Sequence, residues 1–156
     1  MGEIKKYRPN VAAVILSSKY PFVCEYFIAR RNDIKDVWQF PQGGIDEGES
    51  AKEALYRELE EEIGTNKIEI LCKYPQEVRY DFPNTIAKRM YPFDGQSQTY
   101  FLVKLKNDAK IKLDTKHPEF DDFKFVKRKK IFDTVAYFKR PVYQEVINYF
   151  KKEGYL

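Results

Sequence analysis

The chain contains one histidine, two cysteines and no apolar run approaching the roughly 20 residues that span a bilayer. A Ser-His-Asp or Cys-His site would have to use His117, which stands beside Pro118 in a predicted turn, so such chemistry is disfavoured. Cys24 and Cys72 match neither a metal-binding nor a redox spacing, which predicts two reduced thiols. Segment 1–6 lacks the apolar core of a secretion signal. We therefore expect a cytoplasmic protein with no membrane partner.

The remaining composition is that of one globular domain, expected to span residues 1–156. Apolar residues make up 43% of the chain and charged residues 33%, which is ordinary for a soluble protein. The net charge of +4 is compatible with a polyanionic substrate but does not identify one.

Hydrophobic patterning predicts many strands and two substantial helices. The extended segments are expected at 11–16, 22–29, 38–40, 68–80, 100–105 and 123–126. The helices are expected at 50–63, with Ser50 and Glu53 as a capping box, and from Pro141 onward, with a helical turn at 131–136. Residues 81–98, which hold two prolines and a glycine, are predicted to be a mobile loop. This mixture predicts an α+β fold, an α/β/α sandwich in which helices flank a mixed β-sheet.

The most informative segment is a glycine-rich turn leading into a helix crowded with carboxylates. At about 100° per residue, Glu58, Glu61 and Glu62 fall within an arc of roughly 100°. Crowded like charges are relieved by a hard divalent cation, and magnesium is usually shared between carboxylates and substrate phosphates. Ala51 and Ala54 are expected on the same face, where small side chains would leave room for ions and phosphates. The pattern predicts metal-assisted chemistry on a phosphorylated substrate.

An acidic run is also typical of a solvated helix face. Two features favour a functional site instead. Acidic residues near a helix C-terminus oppose the macrodipole at a typical cost of ~0.3–1 kcal/mol each. The Gly43-Gly44 turn allows the backbone to approach a ligand closely. Arg57, flanked by Glu53 and Glu61 at helical spacings, could also reach Glu49.

The segment resembles the Nudix box, a motif of fixed spacing in the Nudix hydrolase family. Its fixed positions are filled here by Gly43, Glu49, Arg57, Glu58, Leu59, Glu61, Glu62 and Gly64. Thr65 stands where the pattern usually ends in an aliphatic residue. Other segments, spread over nearly the whole chain, are similar to the bacterial RNA pyrophosphohydrolase branch: 7–11, 29–31, 38–44, 118–121 and 138–140.

The resemblance implies a Nudix fold and a Mg²⁺ cofactor, for which Mn²⁺ or another divalent cation could substitute. Glu58, Glu61 and Glu62 would hold the metal, with contributions from Glu119 and the Gly43 carbonyl. The general base stays open among the four glutamates Glu58, Glu61, Glu62 and Glu119. Glu49 and Arg57 would fix the loop–helix turn.

The resemblance also implies a set of substrate contacts. Arg8 and Arg31 would clamp phosphates, since a guanidinium offers a fork of donors. Gln39 would touch phosphate, Phe138 would stack on a nucleobase beside Lys139, and Ala136 would offer a small contact. For each of these residues an ordinary structural role is the alternative.

The implied activity is Mg-dependent hydrolysis of the 5′-triphosphate or diphosphate end of mRNA to a 5′-monophosphate, which initiates RNA decay. The alternative is a hydrolase of dinucleoside polyphosphates such as diadenosine tetraphosphate. A catalytically inactive binding module is a third reading, disfavoured because every box carboxylate is present. The 5′ nucleotide preference, the number of metal ions, the oligomeric state and an activating protein partner stay open.

Overall fold

A mixed β-sheet runs through the centre of the molecule, and the computed structural model describes residues 4–156. Within these residues the sheet has eight strands. They are β1 (Tyr7–Leu16), β2 (Tyr26–Arg31), β3 (Trp38–Gln39), β4 (Gln42–Gly44), β5 (Ile68–Lys73), β6 (Val78–Asp81), β7 (Gly95–Leu105) and β8 (Phe120–Val126). The helices are α1 (Ala51–Ile63), α2 (Asn84–Ala87), α3 (Arg128–Thr134) and α4 (Arg140–Lys152), and a 3-10 turn, Tyr137–Lys139, precedes α4.

Strand β1 organises the sheet. It pairs in parallel with β7 along its whole length, from Tyr7 opposite Gly95 to Leu16 opposite Lys104. The other pairings are antiparallel, and the path through the sheet is β3-β2-β1-β7-β5, with β4 on β1, β6 on β7 and β8 on β2. The predicted mixed sheet is therefore confirmed.

The two faces of the sheet carry separate hydrophobic cores, because successive side chains of a strand point to opposite sides. One core packs the apolar side of α1 against Val11, Ala13 and Ile15. The other packs α3 and α4 against Ala12, Val14 and Leu16. Helices thus cover both faces, and the α/β/α sandwich expected from the sequence is confirmed.

Helix α1 begins and ends as its sequence predicts. The Ser50 hydroxyl accepts from the Glu53 backbone N–H and the Glu53 carboxylate accepts from the Ser50 backbone N–H, both at 3.1 Å. Gly64 ends the helix in the left-handed region, with φ of 74°. Its C-terminal turn is held at the sheet by Ile63, which is fully buried.

Several predicted boundaries were wrong. Strand β2 starts four residues later than expected, and segment 68–80 is divided into β5 and β6. The predicted loop 81–98 contains α2, and its last four residues belong to β7, where they pair with β6. Strand β8 and helix α3 each start three residues earlier than expected. The differences in the strands arise because ladder pairing between distant segments overrides local composition.

The expected role of Ala54 was also wrong. Its side chain is fully buried in the apolar core on the α1 side, and Ala51 packs against the same core. Neither residue lies over an open space for ions. No helix within residues 4–156 combines the length and apolar character needed to cross a membrane.

Candidate active site

Arg57 ties the glycine-rich loop to helix α1. Its guanidinium donates to both Glu49 oxygens at 2.7 Å and to the Gly44 carbonyl at 2.9 Å. The Asp46 backbone N–H donates to the same Glu49 carboxylate at 3.0 Å. These bonds, first those from Arg57, lower the pKa of Glu49 to about 2. The loop is therefore held by a carboxylate that stays ionised at any physiological pH.

The same guanidinium also holds two carboxylates of the predicted metal site. It donates to Glu58 at 2.8 Å and to Glu61 at 3.2 Å. Burial raises the pKa of Glu58, Arg57 opposes that shift, and Glu61 and Glu119 add to it. Glu58 also fills the space beside Gly43, where an added Cβ would lie 2.0 Å from its carboxyl carbon. Only glycine at position 43 leaves room for this carboxylate.

Glu62 is the most unusual side chain of the site. It is 2% exposed, and neither carboxylate oxygen has a hydrogen-bond partner within residues 4–156. Burial raises the pKa of Glu62 well above its ordinary value, close contact with the Glu119 carboxylate and the charge of Glu58 add to the shift, and the nearby Gln42 backbone N–H opposes it. An unpaired buried carboxylate is costly unless it is protonated or coordinates a cation. The residues present therefore fit a divalent cation.

The predicted ligands are near one another but do not form a finished coordination shell. Among the described residues, no three acidic, histidine or cysteine side chains are grouped closely enough to hold a metal. Glu58 and Glu119 line a large cavity, while Glu61 and Glu62 line a smaller neighbouring one that Glu119 also borders. Arg57 holds Glu58 and Glu61, and like charges repel, so a bound divalent cation would bring these oxygens closer together.

The large cavity has a volume of about 590 Å³, a size suited to a nucleotide. The structure brings most of the predicted substrate contacts to its wall. They are Arg8, Arg31, Gln39, Phe138 and Lys139. The Arg8 guanidinium lies against Gly44, where a Cβ would be 2.3 Å from its nitrogen. Arg31 donates two hydrogen bonds to Asp33, at 2.8 and 2.6 Å, which fix its guanidinium plane and leave its second NH₂ group as the donor for a ligand.

Lys139 is the buried cation of this wall. It is 4% exposed and donates to Gln39 Oε1 at 3.1 Å. Burial and the nearby Arg31 lower the pKa of Lys139 to about 7, while Glu62 acts in the opposite direction. The side chain therefore exchanges between its neutral amine and its charged ammonium form near neutral pH.

Of these two predicted contacts, Phe138 borders the large cavity and Ala136 does not. The Phe138 ring lies 5.9 Å from the Tyr80 ring and is partly buried at the cavity wall. Ala136 is outside the set of cavity-lining residues, and its backbone N–H donates to the Trp38 carbonyl. It therefore supports the turn before Phe138 and does not itself border the cavity.

The sequence did not reveal a third group of lining residues. They come from β6, α2, the turn after α2 and β7, and include Tyr80, Thr85, Arg89, Met90 and Gln96. Most of them lie in the segment that was predicted to be a loop. Polar side chains at every second position, Gln96 and Gln98, were the signal that a strand approaches a cavity there.

Comparison with known proteins gives consistent results over the whole chain. Residues 6–146 match the family described as the NUDIX domain. An RNA pyrophosphohydrolase of a Nitratiruptor species is 67% identical over 153 residues, which is 98% of this chain and 99% of that protein. An RNA pyrophosphohydrolase of Campylobacter jejuni subsp. jejuni serotype O:2 is 60% identical over 156 residues, 100% of both chains.

Two solved structures are similar in fold at low sequence identity. An E. coli dihydroneopterin triphosphate pyrophosphohydrolase has a TM-score of 0.72 at 20% identity and covers 92% of this chain and 99% of its own. A C. elegans Ap4A hydrolase in a binary complex has a TM-score of 0.67 at 19% identity, with coverages of 92% and 98%. At such identities these two structures establish the shared architecture alone.

Proposed function

Because this chain belongs to the Nudix hydrolase family, we propose that it is an RNA 5′ pyrophosphohydrolase. It converts the 5′-triphosphate or diphosphate end of mRNA into a 5′-monophosphate and so initiates decay of that RNA. Full-length relatives bearing this name support RNA as the substrate over free dinucleoside polyphosphates. The observation that carries the chemistry is the buried, unpaired carboxylate of Glu62, which lines the small cavity next to the large one whose wall holds Arg8, Arg31 and Lys139.

Nudix hydrolases generally use divalent cations, and we propose Mg²⁺ as the physiological ion here. Glu58, Glu61, Glu62 and Glu119, with the Gly43 carbonyl, would hold it. When bound, such an ion neutralises charge on phosphate oxygens and makes water a stronger nucleophile. One of the four glutamates accepts the proton of the attacking water.

The positively charged wall positions the substrate. Arg8 and Arg31 bind the phosphate chain, and Lys139 gains its full charge as the phosphates approach. Phe138 stacks on a base, an interaction that tolerates different sequences and is common in single-stranded RNA recognition. The two free thiols, Cys24 and Cys72, are consistent with the reducing cytoplasm, where we propose the protein acts.

The proposed substrate is tested by comparing kcat/KM for two compounds under identical Mg²⁺ concentrations. We expect a short 5′-triphosphorylated RNA with unpaired 5′ nucleotides to be cleaved with at least about tenfold higher kcat/KM than diadenosine tetraphosphate. A tenfold ratio corresponds to about 1.4 kcal/mol of transition-state binding, which a few base and ribose contacts supply. A ratio favouring the dinucleotide would transfer the assignment to dinucleoside polyphosphate hydrolysis.

A further inference from the structure

Three amide side chains on adjacent strands connect the cavity wall to the core through directed hydrogen bonds. The Gln98 amide nitrogen donates to Asn10 Oδ1 at 2.8 Å and to Gln42 Oε1 at 2.6 Å. The Tyr100 hydroxyl donates to Gln98 Oε1 at 2.6 Å. Gln98 is 1% exposed, so both its nitrogen and its oxygen are used inside the protein.

The sheet places these amides where the core meets the cavity. Asn10 on β1 lies opposite Gln98 in the parallel pair with β7, and Gln42 lies on β4 at the other side of β1. Arg8 and Asn10 share a strand face with the buried Ala12, because side chains two residues apart point the same way. This face is apolar beneath α4 and becomes polar where it reaches the cavity.

The direction of the bonds decides what Asn10 and Gln42 can offer a ligand. Gln98 occupies an oxygen of each, so their N–H groups face elsewhere, and one N–H of Gln42 serves the Tyr80 hydroxyl. Asn10 is 1% exposed and lines the cavity, and its Nδ2 has no hydrogen-bond partner within residues 4–156. A buried donor without an acceptor is destabilising. The unmatched N–H therefore points to a ligand that brings acceptor oxygens.

We propose that Asn10 and Gln42 form an uncharged donor subsite for the phosphate chain of the substrate, and that Gln98 is the positioning residue that keeps both amides turned toward it. This inference rests on the proposed function. Phosphate oxygens accept hydrogen bonds, and asparagine and glutamine are regular phosphate donors in nucleic-acid complexes. The hydrogen bonds of this subsite would fix the orientation of the phosphates, whereas Arg8, Arg31 and Lys139 supply the positive charge of the cavity wall.

Gln98→Glu separates this role from plain structural support. A carboxylate at position 98 still accepts from Tyr100, and Asn10 and Gln42 can satisfy it by turning their NH₂ groups inward. The internal hydrogen bonds are thereby kept, but oxygens replace N–H groups at the cavity. We expect KM for a short 5′-triphosphorylated RNA and the Ki of inorganic pyrophosphate to rise about 10- to 100-fold, the loss expected for hydrogen bonds to a charged ligand.

Asn10→Asp provides a second and independent variant. It keeps the oxygen that accepts from Gln98 and replaces only the unpaired nitrogen with oxygen. For both variants the rise in KM and Ki is expected to exceed any change in kcat. Ser97→Ala is the matched control, since Ser97 is a buried residue of the same strand whose hydroxyl is also unpartnered within residues 4–156 and which lies outside the cavity lining. Its kinetic constants should stay within about twofold of the wild-type values.

The outcomes separate this inference from the proposed function. Wild-type activity on RNA, with KM and Ki unchanged in folded Asn10→Asp and Gln98→Glu proteins, would overturn the subsite alone. A fall in kcat at constant KM and Ki would likewise overturn it, because it would place the defect in the chemical step. If Gln98→Glu does not fold, Asn10→Asp decides. Wild-type protein that is inactive on triphosphorylated RNA would overturn the proposed function.

Discussion

Replacing Glu62 with glutamine should lower kcat on 5′-triphosphorylated RNA by about 10²–10⁴-fold while leaving the fold intact. The substitution preserves the shape of the side chain but removes its charge and its ability to accept a proton. Glu60→Gln is the matched control, because Glu60 lies on the same helix with an exposed side chain. It should retain activity within about twofold. Equal activity of wild-type and Glu62→Gln proteins would remove Glu62 from the mechanism.

The same variant should weaken the pH dependence of stability. In the cation-free protein the pKa of Glu62 is raised above its ordinary value of 4.5. Its contribution to stability is therefore complete below that pH and is lost as pH rises toward the folded-state pKa. Thermal melts in chelator should show wild-type stability falling above about pH 5, with a smaller slope in Glu62→Gln. A residual slope is expected from Glu58, whose pKa is shifted in the same direction.

Gly43→Ala should lower kcat/KM by about 100-fold or more, with a small change in melting temperature. The new Cβ would lie 2.0 Å from the Glu58 carboxyl carbon, which no side chain tolerates. The Glu58 carboxylate must move away, and a displacement of about 1 Å at an active site is enough for a loss of this size. The cost in stability is small because a flexible side-chain end moves and the backbone does not.

Gly48→Ala, in the same loop, should lower stability without lowering activity. Gly48 has φ of 81° and no atom within 4 Å of an added Cβ, so the substitution strains the backbone without touching Glu58. We expect a loss of about 1–2 kcal/mol in stability and unchanged kcat/KM. Activity in Gly43→Ala equal to that in Gly48→Ala would contradict the assigned position of Glu58.

The sequence predicted those parts of the fold that depend on local patterns. The capping box at Ser50, the glycine that ends α1 and the apolar run of β1 all led to correct elements. The prediction for segment 81–98 was wrong because its last residues become a strand only by pairing with β1 and β6. Strand β1 lies far away in the chain. Composition marked it as a loop, and nonlocal hydrogen bonding overrode composition.

In the candidate site, too, some features could be predicted from local sequence and others could not. Fixed spacing placed Glu58, Glu61 and Glu62 on one helix, and the structure finds them there. Spacing could not predict that Glu62 would be buried and unpaired while Glu61 stays 59% exposed, because burial depends on the loop and strands packed over α1. The lowered pKa of Lys139 similarly needs its three-dimensional neighbours. The amide network around Gln98 joins three strands and leaves no motif in the sequence.

The dependence of RNA hydrolysis on a divalent cation tests the central claim most directly. Chelator-treated protein should release no pyrophosphate or phosphate from a short 5′-triphosphorylated RNA, and added Mg²⁺ should restore turnover in a saturable manner. Glu62→Gln should need more Mg²⁺ for its residual rate. Full wild-type activity in excess chelator would contradict the account.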